Sequence, residues 1–133
     1  MTGMTDLDQL LRHMEPRLRD GEFVFCTTPT LNDALFIRLK PLATFREDEG
    51  LTLVLDKNLA RENGFAAAPV FRAITLTVHS SLEAVGLTAA VAGKLAEKGI
   101  SANVVAAYYH DHIFVQAEKA QLALAALAEL SAQ

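Results

Sequence analysis

The stretch HSSLEAVGLTAAVAGKLAEKGISANVVAAYYHDHIFVQ, residues 79–116, contains a loop, a helix and two strands in one continuous run. Leu87, Val91 and Leu95 recur at i, i+4 and i+8, Ala90 widens the stripe, and Gly99 stands in C-cap position. That spacing predicts a helix over about 86–98. Its apolar face is rich in small residues, which suits close packing on a sheet. SANVVAAYY and HIFVQ read as strands flanking a tight turn at about His110 and Asp111. A long helix follows over Glu118 to Leu130, with Leu122, Ala125, Ala126 and Leu130 in its stripe.

The same order of elements recurs upstream. ATFRED and LTLVL flank the turn residues Glu49 and Gly50 as a hairpin, and DKNLAREN follows as a short helix closed by Gly64. Leu53 and Val54 align with Phe114 and Val115, and Lys57 with Lys119, so the two halves read as an internal repeat. EFVFCTTP is a strand leading into a turn, and VFRAITLTV, after the linker AAAP, is a strand buried on at least one face. Leu7, Leu10, Leu11 and Met14 form a short amphipathic helix over 5–15, capped by Thr5 or Asp6 and stopped by Pro16. Residues 30–42 fit a helical turn or an extended edge equally well; Pro41 only requires that a helix end before it.

Composition narrows the function classes. With 133 residues, about half of them apolar and a fifth charged, the chain can bury a core unaided as one domain or as two small units. The net charge of −4 is spread out, the twelve Lys and Arg form no stripe, and Trp is absent. Nucleic acid is therefore not an expected partner. Cys26 is the single cysteine, which excludes a disulfide framework within one chain and fits a reducing compartment. The start MTGMTDLDQLL has no basic segment before an apolar run, and no apolar stretch approaches the roughly 20 residues that span a bilayer. The expectation is a cytoplasmic protein with no membrane association.

GLTAAVAGKLAEKGISANVVAAY, residues 86–108, resembles the first helix and second strand of an ACT domain, the small-ligand-binding regulatory module of amino-acid metabolism. The resemblance is good over about 70–130. Across the whole chain, through EFVFCTTP, ATFREDEGLTLVLDK and YYHDHIFV, the sequence is similar to compact bacterial proteins of two tandem ACT-like units. These are related to the ACT repeats of the cytosolic arginine sensor of eukaryotic nutrient signalling. The resemblance implies an α+β fold of ferredoxin-like βαββαβ type, in two tandem modules whose antiparallel sheets are covered by helices. It places a degenerate N-terminal module with an extra helix at 1–69 and a C-terminal ACT domain at 70–133. The first module's inter-strand helix is short or missing, and the last module lacks a closing strand, which implies strand sharing between modules or chains.

The resemblance also implies an effector amino acid at a module interface, against the loop from Ser80 to Gly86, and marks Val85, Gly86, Leu87 and Thr88. Physical chemistry supports that location, since the N–H groups of a helix N-terminus attract a carboxylate and a glycine lets a ligand approach the backbone. The competing reading is a turn at Gly86, or a capping box of Ser80 and Glu83 for a helix beginning near 81. Asn103 would run next to the loop and could donate to a carboxylate and accept from an ammonium group, or serve only as a turn residue. Asp111 could pair with a ligand ammonium or guanidinium, or stabilise its own hairpin.

His110-Asp111-His112 with His79 is the one group with metal-ligand chemistry, but a turn there would scramble its geometry, and no metal or other cofactor is expected. Cys26, Ser80 and Ser81 lack a positioned base beyond His79 next in sequence, so catalysis is not expected. The expectation is a non-enzymatic sensor that binds an amino acid or related metabolite and acts as a homo-oligomer, in the simplest case a dimer. Two alternatives are a homodimeric interaction module without ligand and a small metal-binding protein built on the histidines.

Overall fold

The computed structural model describes residues 6–132, so Thr5 lies outside the described residues. In chain order it contains α1 (Leu7–Arg12), β1 (Pro16–Leu18), β2 (Phe23–Thr28), α2 (Asp33–Leu39), β3 (Ala43–Glu47) and β4 (Gly50–Asp56). α3 (Lys57–Glu62), β5 (Phe71–Leu76), α4 (Leu87–Glu97), β6 (Asn103–Ala106), β7 (Asp111–Gln116), a 3₁₀ turn (Ala117–Lys119) and α5 (Ala120–Ser131) complete it. Packing groups these into two units, one of Gly21–Phe71 and one of the residues through Asp20 with those from Arg72 onward. Packing units and the sequence modules 1–69 and 70–133 are thus different divisions of the chain.

In the Gly21–Phe71 unit, β4 pairs antiparallel with β2 and β3, and Phe71 pairs with Phe23. The segment 30–42, open between helix and edge in sequence, is helical because Asn32 caps it: its side-chain oxygen accepts from the Leu35 N–H at 2.8 Å. Lys40, in the left-handed region at φ 45°, ends α2 before Pro41. Asp56 caps α3 through the N–H groups of Asn58 and Leu59. Glu47 pairs with Gly50, so the hairpin turns on Asp48 and Glu49, one residue earlier than the sequence suggests. A side chain on Gly50 would come within 3.2 Å of the Thr28 carbonyl, which reserves the position for glycine. Val24, Leu39, Leu53, Leu55 and Ala60 form this unit's core.

In the second unit, β1 pairs antiparallel with β5 through Pro16↔Leu76, Arg17↔Thr75 and Leu18↔Ile74; β7 lies on the other side of β5, with β6 beyond it. The order is that of a βαββαβ fold whose last strand comes from the N-terminal end of the chain. The strand sharing read from sequence therefore occurs within one chain, through a strand that Pro16 alone had marked only as a stop. Asp6 caps α1 by accepting from the Gln9 N–H, and α1 places Leu10 in the core with Met14 just beyond it, both fully buried. α4 adds Leu87, Val91 and Leu95, and the strands add Ile74, Leu76, Ile113 and Val115.

α5 buries Ala120, Ala123, Ala126, Leu127 and Leu130, whereas Leu122 and Ala125 are exposed. The predicted stripe is rotated because Ala and Leu occupy most positions of α5, so composition alone does not fix which of them face the core. The repeat is real but shifted. Asp56 and Gln116 share φ −53° and ψ 133° at the strand-to-helix junction, so Leu53 matches Ile113 and Val54 matches Phe114. Each matched pair is buried. No helix among the described residues is long and apolar enough to cross a membrane.

Candidate functional site

Between β5 and α4 the chain makes a tight turn, with the Ala84 N–H donating to the Ser81 carbonyl at 3.0 Å and the Glu83 N–H to Ser81 Oγ at 3.1 Å. The helix itself begins only at Leu87. Gly86 is its N-cap, in the left-handed region at φ 100°, and its carbonyl accepts from the Ala90 N–H at 2.9 Å. This excludes a helix from 81 capped by Ser80 and Glu83. A side chain on Gly86 would meet Leu7 Cδ2 at 3.1 Å, so the glycine's open flank faces the N-terminal helix. Gly86 carries no side-chain acceptor, so the first-turn N–H groups of α4 have no side-chain cap.

The β6–β7 hairpin differs from the sequence reading in a way that matters for the site. Ala106 pairs with Asp111, and the Ala107 N–H donates to the His110 carbonyl at 3.0 Å, so the connection is Ala107–His110. Asp111 is not at the turn; it is the first residue of β7, with only 9% of its surface exposed. Its carboxylate accepts from Ser80 Oγ at 3.4 Å. Burial pushes the Asp111 carboxyl above the usual carboxylate range, opposed in part by the Ser80 hydroxyl and by His112 and His110.

Asp111 and Ala106 close one side of a small cleft whose other side is Ser80, Ser81, Leu82, Ala84, Leu87 and Thr88. Its volume of about 60 Å³ is room for roughly two water molecules. Of the residues marked in sequence, Leu87, Thr88 and Asp111 meet here. Val85 is 82% exposed next to the cleft and Gly86 shapes its backbone. Asn103 stands at the opposite end of β6, roughly 10 Å along the strand, and donates its amide to the Phe114 carbonyl at 3.2 Å. Ser80 and Ala106 join the cleft without having been singled out as contacts. A correctly placed hairpin turn would have found Ala106, opposite Asp111.

The repeat supplies a counterpart in the other unit. There the loop Pro29–Leu31 after β2 faces the hairpin residues Arg46–Leu51 across a cavity of about 510 Å³. Aligning Pro29–Leu31 with the loop after β5 is the sequence signal that would have found it. In the same unit, Cys26 Sγ lies 3.9 Å from the Ala66 carbonyl, and burial pushes its thiol up. His79 stacks loosely with Tyr108 and Tyr109, at 6.2 and 5.6 Å between ring centres. No group of three or more His, Cys, Asp or Glu able to hold a metal ion occurs among the described residues.

Comparison with known proteins agrees with the geometry. Residues 2–72 match one ACT domain model and residues 70–129 match another. A Vibrio cholerae protein of unknown function, described as a possible transport protein, is 61% identical over 91% of this chain and 92% of its own, with a TM-score of 0.82. An Agrobacterium tumefaciens protein (16% identity, 87% of each chain, TM-score 0.69) shares the fold. So does the regulatory subunit of aspartate kinase from Thermus flavus (12% identity, 98% of this chain and 99% of that one, TM-score 0.65). No curated protein matches the sequence. With an ACT model over each half and the βαββαβ order of strands and helices in the fold, this chain belongs to the ACT domain family, as a tandem pair of α+β, ferredoxin-like regulatory-type modules.

Proposed function

We propose that this protein binds a small amino acid or a related metabolite in the cleft between the Ser80–Thr88 loop and Asp111, and acts by binding rather than by catalysis. The observation that carries this reading is the meeting of opposite halves of a zwitterion site. The first turn of an 11-residue helix presents N–H groups to a carboxylate, and Asp111 presents a carboxylate to an ammonium group. A cleft of about 60 Å³ holds the head of an amino acid and not its side chain. The rest of the ligand then lies against a second surface, for which a second copy of this chain is the simplest source. Leu82, Val85, Tyr108 and Tyr109, each more than 60% exposed in this loop and hairpin, support a homodimer over the same region.

Thermal unfolding in the presence of each of the twenty amino acids tests the reading, with wild type beside Asp111→Asn. One ligand should raise the wild-type melting temperature by several degrees and leave the variant unmoved. Equal shifts in both proteins would remove Asp111 from the site. A stable dimer indifferent to every amino acid at millimolar concentration would favour the ligand-free interaction module.

A further inference from the structure

The sheet of the second unit has a face that does not carry α4 and α5, and strand alternation puts an unusual set of side chains there. Arg17 sits directly opposite Thr75, and Thr75 Oγ1 lies 2.9 Å from His112 Nδ1, so one rung crosses β1, β5 and β7. Arg19, Thr77 and His110 flank that rung, and the six together line a cavity of about 240 Å³. No carboxylate lines it. Among the described residues neither arginine forms an ion pair. Asp111, between the two histidines in sequence, points to the opposite face, towards Ser80.

We propose that this cavity is a second ligand site, separate from the amino-acid cleft, which binds a phosphate group, either as inorganic phosphate or on a small phosphorylated metabolite. Two guanidinium forks and the imidazoles approach from three strands, more donors than the two oxygens of a carboxylate can use but a match for the terminal oxygens of a phosphate. The hydrogen bonds of the imidazoles orient them for this. With Thr75 donating to His112 Nδ1, the ring proton sits on Nε2 and is offered to the ligand. His110 Nδ1 lies 3.3 Å from the Val78 carbonyl, which can only accept, so Nδ1 donates there and the ring is held with Nε2 left for the ligand. Burial above all, and then the Arg19 guanidinium and His110, hold His112 below the ordinary imidazole range, against the smaller pull of Asp111.

Titration of the wild-type protein with inorganic phosphate at constant ionic strength, followed by calorimetry and by the imidazole proton signals, tests the site. One saturable site should appear, the signals of His110 and His112 should move, and that of His13, the C-cap of α1, should not. Arg17→Gln/Arg19→Gln should weaken binding at least tenfold with cooperative unfolding retained. A phosphorylated three-carbon acid that binds more tightly than phosphate would assign the site to metabolites; phosphate binding at least as tightly would assign it to the free ion. Either result keeps the proposal. Absence of saturation by about 20 mM phosphate, roughly twenty times a Kd of about 1 mM, unmoved His110 and His112 signals, or equal binding of succinate would overturn it. Should the double variant not fold, the wild-type histidine signals decide alone.

Discussion

Ser80 and Asp111, 31 residues apart in sequence, meet through a hydroxyl-to-carboxylate hydrogen bond of 3.4 Å. The bond ties the loop after β5 to the first residue of β7, and so links both walls of the candidate cleft. It is long for an O–H donor on a carboxylate, whose usual range ends near 3.0 Å, so it offsets only part of the burial of the charge.

The direction of the Asp111 shift has a consequence for stability. Its folded-state pKa lies above the ordinary 3.8, so the folded chain holds this proton more tightly than the unfolded chain does. The destabilisation by the buried charge is fully present above the folded-state pKa and disappears as pH falls towards 3.8. Asp111→Asn should therefore melt a few degrees higher than wild type at pH 7, with the difference gone by about pH 4. Thermal unfolding at the two pH values checks this, and a variant that melts lower at pH 7 would show the charge to be held by a partner.

Two glycines of the same segment should respond to alanine in opposite directions. Gly86 adopts φ 100° against Leu7, so Gly86→Ala should lose about 1–2 kcal/mol, with part recovered in a Leu7→Ala background. Gly93 lies inside α4 with nothing within 4 Å of an added Cβ, and Gly93→Ala should gain roughly 0.5–1 kcal/mol. Urea unfolding of Gly86→Ala, Leu7→Ala, their combination and Gly93→Ala measures both signs and the recovery.

Leu10 and Met14 are fully buried in the core that α4 and α5 complete. Leu10→Ala should destabilise by about 2–5 kcal/mol. Residues 70–133 made alone lack both side chains and β1, and should show no cooperative transition until a peptide of residues 6–20 is added. A sharp melt of the fragment alone would show that β1 is dispensable.

Cys26 has its thiol pushed up by burial, so little of it is thiolate at neutral pH. Its reaction with a disulfide reagent at pH 7.5 should be several-fold slower than that of a free thiol and should accelerate in denaturant. Equal rates in the native and unfolded protein would contradict its burial.

Much of this architecture was legible from periodicity. The helix over 87–97, the two hairpins and the capped helix after Asp56 all carry local signals strong enough to read without contacts. What escaped was non-local or short. β1 is three residues, too few for alternation to register, and only its pairing with β5 makes it a strand. The hairpin turn was placed on His110 and Asp111 because polar residues mark turns, whereas the connection is Ala107–His110, with Tyr108 and Tyr109 exposed in it. That shift of the turn hid Asp111 as a buried wall residue. It also hid His110 and His112 as neighbours on one face, because the sequence reading took a turn to separate them. Arg17 and Arg19 carried no signal at all until β1 was known to lie beside Thr75.

The pairing of Arg17 with Thr75 also sets an order of events during synthesis. Residues 6–20 leave the ribosome before the strand they pair with, which is made 58 residues later; at 5–20 residues per second that is a delay of roughly 3–12 s. Everything needed for the Gly21–Phe71 unit is made within that interval. β1 must therefore stay uncommitted while residues 21–71 are made, and α5, which follows β7, closes over a strand that has waited for its partner through nearly half of the described chain.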